Sequence, residues 1–399
     1  MGEPIIRLGV AGLGRAFSLM LPTFVRDKRV QLVAAADPRT EARTRFASEF
    51  SAKTYETVEA LCADPALDAI YIATPHQYHA EQARLAAAAK KHILVEKPMA
   101  LGLDACQAMI DAARQGGVKL IVGHSHSFDR PIQRTRDIIA GGTVGRVKMI
   151  TAMNFTDFLY RPRRPEELDT AKGGGVFFNQ APHQIDIIRL LGGGRVRSVR
   201  ASAGAWDGTR PTDGAYSAHL TFEDGAFASV TYSGYAHFDS DAWCDGIGED
   251  GRQKKSESYG DARRKLAALK DGTAEQLAKA ARNYGGADYS APAAAEDVPP
   301  FYPHFGIVIA SCERADLRPT PKGVMIYADA AARFEALPTP LVPRSEVIDE
   351  LCTAVFDNRE PLHNGAWGLA TMEVCLAMLQ SARDGQEVTL RHQVGPPSS

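Results

Sequence analysis

A chain of 399 residues that is 45% hydrophobic and 24% charged has an ordinary globular composition, but it is too long for one compact core, so two domains are expected. The formal net charge of −2 gives no basis for a nucleic-acid or anionic-membrane partner, and no apolar run approaches the ~20 residues of a membrane span. Met1-Gly2-Glu3-Pro4 lacks the basic and long apolar regions of a secretory signal, and Cys62, Cys106, Cys244, Cys312, Cys352 and Cys375 form no C-x-x-C pair. A cytoplasmic protein with reduced thiols follows, without a zinc cluster or a disulfide framework.

From the start to about Gly123, short apolar strand candidates alternate with helical stretches. The strands are Ile5–Ala11, Gln31–Ala36, Ala69–Ala73, His92–Val95 and Lys119–Val122; Arg39–Phe50 and His79–Ala89 are among the intervening helices. This alternation predicts a parallel, doubly wound sheet covered on both faces, in a first domain spanning 1–125. From 126 to 399 the texture changes to longer strands joined by turns: Arg146–Phe155, Arg197–Gly204, Ala215–Phe222 and Ala226–Tyr235. A second α/β domain with a largely antiparallel, open sheet is expected there, covered on one face by helices that include Val176–Leu191 and Trp367–Arg383. Residues 239–300 interrupt this plan with a Gly/Asp-rich start, a charged helical pattern over Asp261–Arg282 and an Ala/Pro-rich end at Ser290–Pro300. Their composition reads as a solvated surface insertion, with a substrate lid or an oligomer contact as the sharper alternative.

The first strand runs straight into Gly12-Leu13-Gly14-Arg15-Ala16-Phe17. Gly12 permits the tight turn, Gly14 removes the side chain that would block a pyrophosphate, and the following helix offers its free N–H groups to that phosphate. Phe17 replaces the small third residue of the pattern, so helix and strand should pack less closely there. Asp37 ends the second strand about 20 residues beyond Gly14, where a carboxylate accepts the adenosine ribose hydroxyls. That favours NAD, while Arg39 beside it leaves NADP open.

Two segments fall at the carboxyl ends of strands, where ligands of such sheets bind: Thr74-Pro75 with His79, and Glu96-Lys97-Pro98. A lysine emerging from apolar surroundings has a lowered pKa and can stabilise an alkoxide or take part in proton transfer. Pro98 stiffens the turn and is compatible with a cis Lys97–Pro98 bond. In the second domain, Gly173-Gly174-Gly175 precedes a helix on which Asn179 and His183 stand at i, i+4 on one face, with Asp186 three further on. Histidine titrates near neutrality and suits a general base.

These motifs together resemble the glucose–fructose oxidoreductase/inositol dehydrogenase (Gfo/Idh/MocA) family over both domains. The resemblance implies a Rossmann domain that binds NAD(P) through Gly12, Gly14, Arg15, Ala16, Phe17, Asp37, Arg39, Thr74, Pro75, His79, Glu96 and Lys97. It further implies that Lys97 and His183 act on a substrate hydroxyl at the nicotinamide. The family usually has an aspartate where this chain has Asn179, and an amide cannot accept a proton, so the relay is expected to rest on His183 and Lys97 with Asn179 orienting the substrate.

Within the family, Gly123-His124-Ser125-His126, Tyr160-Arg161-Pro162-Arg163-Arg164-Pro165 and Pro303-His304-Phe305-Gly306 are similar to the phthalate 4,5-cis-dihydrodiol dehydrogenases. An aromatic dicarboxylate needs fixed cationic donors, and Arg161, Arg163 and Arg164 cluster ahead of the catalytic helix; a solvated basic loop or an interface salt bridge is the competing account. His124 and His126 read as substrate contacts or as buried, satisfied histidines, and as an H-x-H pair they lack a third metal ligand, so no metal is expected. The expected activity is hydride transfer from a secondary alcohol to nicotinamide in aromatic catabolism. A sugar or inositol dehydrogenase and a non-catalytic cofactor-binding sensor are the alternatives, and a homo-oligomer, dimer or tetramer, would cover the open sheet.

Overall fold

The computed structural model describes residues 4–289 and 298–397. The start of the N-terminal segment and residues 290–297 of the Ala/Pro-rich stretch lie outside the described residues.

The first sheet contains β1 (Ile6–Ala11), β2 (Val30–Ala36), β3 (Lys53–Tyr55), β4 (Ala69–Ile72), β5 (His92–Val95) and β6 (Leu120–Val122). They pair in the order β3-β2-β1-β4-β5-β6, each pair parallel. The five strands legible in the sequence appear within a residue or so at each end, because apolar runs buried on both faces leave a strong local signal. Strand β3 lacks such a run: Lys53-Thr54-Tyr55 is short and only partly buried. The layers over the sheet include α1 (Arg15–Arg26), α2 (Thr40–Phe50), α3 (Val58–Cys62), α4 (His79–Ala88) and α5 (Leu103–Gly116). The chain leaves β1 on one side for β2 and on the other for β4, so a crevice opens at the carboxyl ends of β1 and β4.

Among the described residues the second sheet has nine strands: β7 (Val147–Phe155), β8 (Val196–Gly204), β9 (Ala215–Phe222), β10 (Phe227–Ser233), β11 (Ile307–Cys312), β12 (Ala315–Thr320), β13 (Gly323–Ala328), β14 (Ala332–Ala336) and β15 (Val388–Thr389). Their order is β14-β13-β12-β11-β7-β10-β9-β8-β15, antiparallel except for the central β7–β10 pair. The remaining helices are α6 (Arg130–Ala140), α7 (Gly175–Asn179), α8 (Ala181–Leu191), α9 (Asp261–Ala267), α10 (Gly272–Ala281), α11 (Ser345–Phe356) and α12 (Gly365–Asp384). Helices α6, α8 and α12 cover one face of the sheet. The other face is open and carries Met149, Phe227, Tyr327 and Phe334. Helix α11 packs its Val347, Ile348 and Leu351 into the core formed by β1 and α1, although it follows the second sheet in the chain.

Two departures from the sequence reading bear on the site. The single helix expected over Val176–Leu191 is broken at Gln180 (φ −121°), which closes α7 and opens α8. Pro182 causes this, since it has no N–H to give the carbonyl of Phe178. Asn179 and His183 therefore stand on two successive helices rather than on one face.

The second departure is the insertion. Its charged stretch forms two helices rather than one, with Asp271 capping α10 through the Ala274 N–H at 2.9 Å. Nor is the segment merely solvated: Tyr284 is fully buried against Phe17 (5.2 Å, edge-on) and Phe46 of the first domain, and its hydroxyl donates to Glu49 at 2.7 Å. Phe17, the bulky residue in the glycine pattern, is accommodated because this tyrosine packs against it. The insertion thus runs as a strap from the second domain onto the first.

Candidate active site and cofactor cradle

Beyond the carboxyl ends of β1 and β4 lies a cleft of about 1110 Å³, lined by both domains and by α10. Its phosphate end is the β1–α1 turn. Gly12 has φ +91°, and a Cβ there would lie 2.9 Å from the Thr74 methyl group. Any side chain would be both strained and crowded at that position. At Gly14, the N-cap of α1, the nearest atom to a built Cβ is the Ala73 carbonyl oxygen at 4.0 Å, and no side chain caps the helix. The cradle is therefore open toward the cleft, with an anion-attracting helix end behind it, and it fits a dinucleotide.

Asp37, at the end of β2, is buried. One carboxylate oxygen accepts the Leu13 N–H (2.8 Å) and Arg39 Nη2 (3.1 Å); the other accepts the Arg39 N–H (2.9 Å) and Nε (3.0 Å). Arg39 also donates to the Leu13 carbonyl at 2.8 Å and to the Tyr284 carbonyl at 3.2 Å. The adenosine end of the cradle is thus an aspartate–arginine fork rather than a free carboxylate, and the strap is tied to it.

The loops after β4 and β5 are locked to each other. His79 is buried with its two ring nitrogens 2.9 Å from the Thr74 carbonyl and 3.0 Å from the Pro98 carbonyl. Thr74 Oγ1 donates to Gln82 at 2.6 Å, and the Lys97–Pro98 bond is cis. Glu96 accepts from the buried Tyr71 hydroxyl at 2.5 Å, and burial raises its pKa. Lys97 enters the cleft and donates to the Asn179 carbonyl at 2.9 Å. Burial pushes its pKa down to about 8, against the opposing pull of Glu96.

From the second domain, the three glycines let the chain pass close to itself. Gly175 (φ +71°) would place a Cβ 2.6 Å from Thr212 Oγ1, and Gly174 would place one 2.6 Å from the Glu167 backbone. Asn179 Nδ2 donates to the Gly175 carbonyl at 2.8 Å, which turns the amide on this tight segment. His183 lines the cleft with a buried Nδ1 that has no partner among the described residues. Burial first, then the nearby Lys97, drives its pKa well below the ordinary value, so the ring is neutral at physiological pH. The structure thus brings Lys97, Asn179 and His183 together. Asp186 lies elsewhere: it accepts from Ser125 (2.7 Å), Ser127 (2.5 Å), Trp367 (2.5 Å) and Thr371 (3.0 Å), a buried knot joining α8 to α12 and to the loop after β6.

His124 and His126 also line the cleft, and both bond one carboxylate, Asp129. Burial lowers His124 to about 3, so it is neutral. Of the three arginines, Arg161 pairs with Asp157 at 3.1 Å and lies 3.9 Å from Glu249, while Arg164 pairs with Glu166 at 3.1 Å and Glu167 at 3.5 Å. Arg163 differs. Its guanidinium stacks on Phe158 at 3.6 Å and donates to the Phe158 carbonyl at 2.6 Å, but its Nε is buried without a partner among the described residues. Burial lowers its pKa to about 10, and its charge in turn depresses Lys97. The sequence reading missed Asp129, Glu249 and Arg344, all near these groups, and cited Phe305 only as part of a motif. Asp129 was readable as His124-x-His126-x-x-Asp129, whereas the others come from distant segments without a local signal. Among the described residues, no group of three or more His, Cys, Asp or Glu is placed to hold a metal ion.

A glycine-turn cradle at the switch point of a doubly wound sheet, faced by a lysine and a neutral histidine across one cleft, defines an NAD-dependent oxidoreductase. Residues 6–124 match the model of the oxidoreductase family with an NAD-binding Rossmann fold, and residues 132–254 match the GFO/IDH/MocA C-terminal domain. The chain belongs to the Gfo/Idh/MocA oxidoreductase family and is an enzyme. It is 45% identical, over 95% of both chains, to the 1-carboxy-3-chloro-3,4-dihydroxycyclohexa-1,5-diene dehydrogenase of Comamonas testosteroni. The myo-inositol 2-dehydrogenase of Thermotoga maritima is 28% identical over 49% of this chain and 58% of its own. Among solved structures, a Bordetella bronchiseptica RB50 protein assigned as a dehydrogenase superposes with a TM-score of 0.90 at 42% identity, covering 97% of this chain and 100% of that one.

Proposed function

We propose that this enzyme oxidises a cis-dihydrodiol of an aromatic carboxylate, such as phthalate 4,5-dihydrodiol, with NAD as acceptor, in a catabolic sequence ending in a catechol. The observation that carries this reading is Arg163. A guanidinium whose buried Nε has no partner among the described residues, in the same cleft as Lys97 and His183, is matched by a substrate carboxylate. Neutral sugars and inositols offer no carboxylate to this guanidinium, whose nearby counter-charge is Glu167. The Comamonas testosteroni relative, whose substrate carries one carboxyl and two hydroxyls, supports the same class.

A bound nicotinamide would supply the acceptor for the hydride of the carbinol carbon. His183, held neutral by burial and lining the cleft, takes the hydroxyl proton on its imidazole. Lys97, in its ammonium form, donates to the same oxygen and stabilises the developing alkoxide. Asn179, its amide nitrogen anchored on the Gly175 carbonyl, orients the substrate without accepting a proton. Glu96 and His79 hold the Lys97 loop rather than the substrate, and Arg163 holds the far carboxylate. Gly12 and Gly14 leave room for a diphosphate, which the N–H groups of Arg15, Ala16 and Phe17 at the start of α1 would hold.

The six cysteines of the chain are free thiols, which suits a cytoplasmic enzyme, and no described helix is long and apolar enough to cross a membrane. We further propose a homo-oligomer formed through the open sheet face.

The test is a panel assay of nicotinamide reduction with NAD and NADP, comparing phthalate 4,5-cis-dihydrodiol with myo-inositol and aldoses. A kcat/KM for the dihydrodiol at least ~10²-fold above the polyols, with NAD preferred, is the expected result. Faster turnover of myo-inositol or an aldose would replace this reading with that of a polyol dehydrogenase.

A further inference from the structure

We propose that His126, held by Asp129, receives the second hydroxyl of a vicinal cis diol and so sets the preference of this enzyme for diols over single alcohols. The inference rests on the reading above only in requiring a substrate with two adjacent hydroxyls.

The geometry is a pair of imidazoles serving one edge of the cleft. The rings of His126 and His183 have centroids 4.9 Å apart, inclined at 70°. Phe305 packs at 5.1 Å from each, so one aromatic wall fixes both. His183 has been assigned to the reacting hydroxyl. His126 has one nitrogen, Nδ1, committed to Asp129 at 2.6 Å; its other nitrogen, Nε2, has no partner among the described residues, and the ring lines the cleft.

Asp129 makes this arrangement specific. It stands at the N-cap of α6, where an aspartate ordinarily bonds the first N–H groups of the helix, yet its side chain makes no such bond. One of its oxygens takes His126 and the other takes His124 Nε2 at 3.2 Å, with the carboxylate almost fully buried. A carboxylate on Nδ1 fixes the tautomer that carries its proton there and leaves Nε2 as an acceptor. Asp129 is thus a positioning residue, and His126 is the group that touches the substrate.

A cis-vicinal diol projects both oxygens from one face of its ring, about a hydrogen-bond length apart. Two neighbouring imidazole acceptors match that pattern, one for each hydroxyl. A trans diol turns the second oxygen to the opposite face, and a single alcohol leaves Nε2 of His126 desolvated without a partner. A site built to bond a hydroxyl rejects analogues that lack it far more strongly than an apolar site can.

The experiment measures kcat/KM with NAD for a carboxylated cis-dihydrodiol, its trans isomer and the corresponding single alcohol. The enzymes are the wild type, His126→Phe, His126→Asn and Asp129→Asn, with NAD affinity from fluorescence titration as the check of a folded cofactor site. The cis-diol to single-alcohol ratio is expected to fall ~10–100-fold in the His126 variants, as for loss of one buried hydroxyl's partner. Asp129→Asn should lower the same ratio by a smaller factor. An unchanged ratio in both His126 variants overturns the inference, and so does an equal loss on both substrates, which assigns His126 to the chemistry or to the fold. If the wild type oxidises no aromatic dihydrodiol but does oxidise myo-inositol, the preceding reading fails by itself. The same ratio, measured with myo-inositol and a deoxy analogue, then decides the role of His126.

Discussion

Lys97 and His183 carry opposite consequences of the same burial. Desolvation disfavours the charged form of each, so the histidine is a free base near neutral pH, and the lysine holds its proton only up to about 8. The sign for activity follows. Deprotonating Lys97 removes the donor to the alkoxide, so kcat/KM for oxidation should be flat from mildly acidic pH and decline above about 8. Lys97→Ala should lower kcat by ~10²-fold or more and abolish that alkaline limb, whereas His183→Ala should lower kcat comparably and keep the limb. Persistence of the limb in Lys97→Ala would assign it to another group. Lys97 could be singled out from sequence because its setting is local, a strand end between Glu96 and Pro98. The coupling of His126 to Asp129 is equally local, but reading it requires knowing that the N-cap aspartate turns away from its helix.

At the scale of elements, what the sequence showed and what it hid divide along the same line. The β1–Gly12-x-Gly14–α1 unit is encoded within a dozen residues, and the structure keeps it. The break between α7 and α8 was also local, signalled by Pro182, and the periodicity of the apolar residues on either side masked it. The strap was not legible, because the partners of Tyr284 (Phe17, Phe46 and Glu49) lie more than two hundred residues upstream and only folding brings them together. Composition describes α9 and α10 correctly as polar, but one aromatic anchor decides where the segment goes. That anchor is testable. Tyr284→Ala removes a buried aromatic worth ~3–5 kcal/mol in a core, more than a surface strap retains in docking energy. Amide hydrogen exchange across 272–289 should therefore rise at least ~10-fold. NAD should bind more weakly, because Arg39 loses the Tyr284 carbonyl that helps hold it against Asp37. Unchanged exchange in that segment would show that the strap is held by its other end, through Glu275 on Arg210 and on the Arg163 N–H.

For the whole molecule, the strap and the sheet pull in different directions. The strap, α11 and the Lys97–Asn179 bond all tie the second domain to the first, so the cleft is built within one chain. The second sheet is finished on only one face. On the other, Met149 of β7 and Phe227 of β10 are adjacent in register, and Tyr327 and Phe334 lie beyond β11 and β12 on β13 and β14, so large apolar side chains are 37–48% exposed at two places on this face. Patches of this kind on a folded chain mark contacts with another protein surface. A sheet face is self-complementary under a two-fold axis, which favours a second copy of the same chain. Light scattering after size-exclusion chromatography should accordingly report a dimer or tetramer. Introducing charge at one end of the central β7–β10 pair, with Met149→Glu and Phe227→Glu together, should shift the protein to monomer, because two desolvated carboxylates per protomer would have to be buried at the contact. Nicotinamide reduction per chain should survive that dissociation, since the groups assigned to the cleft come from one chain. A wild-type monomer at micromolar concentration would remove the open face as an interface, and a monomeric double variant without activity would mean that the partner copy completes the site.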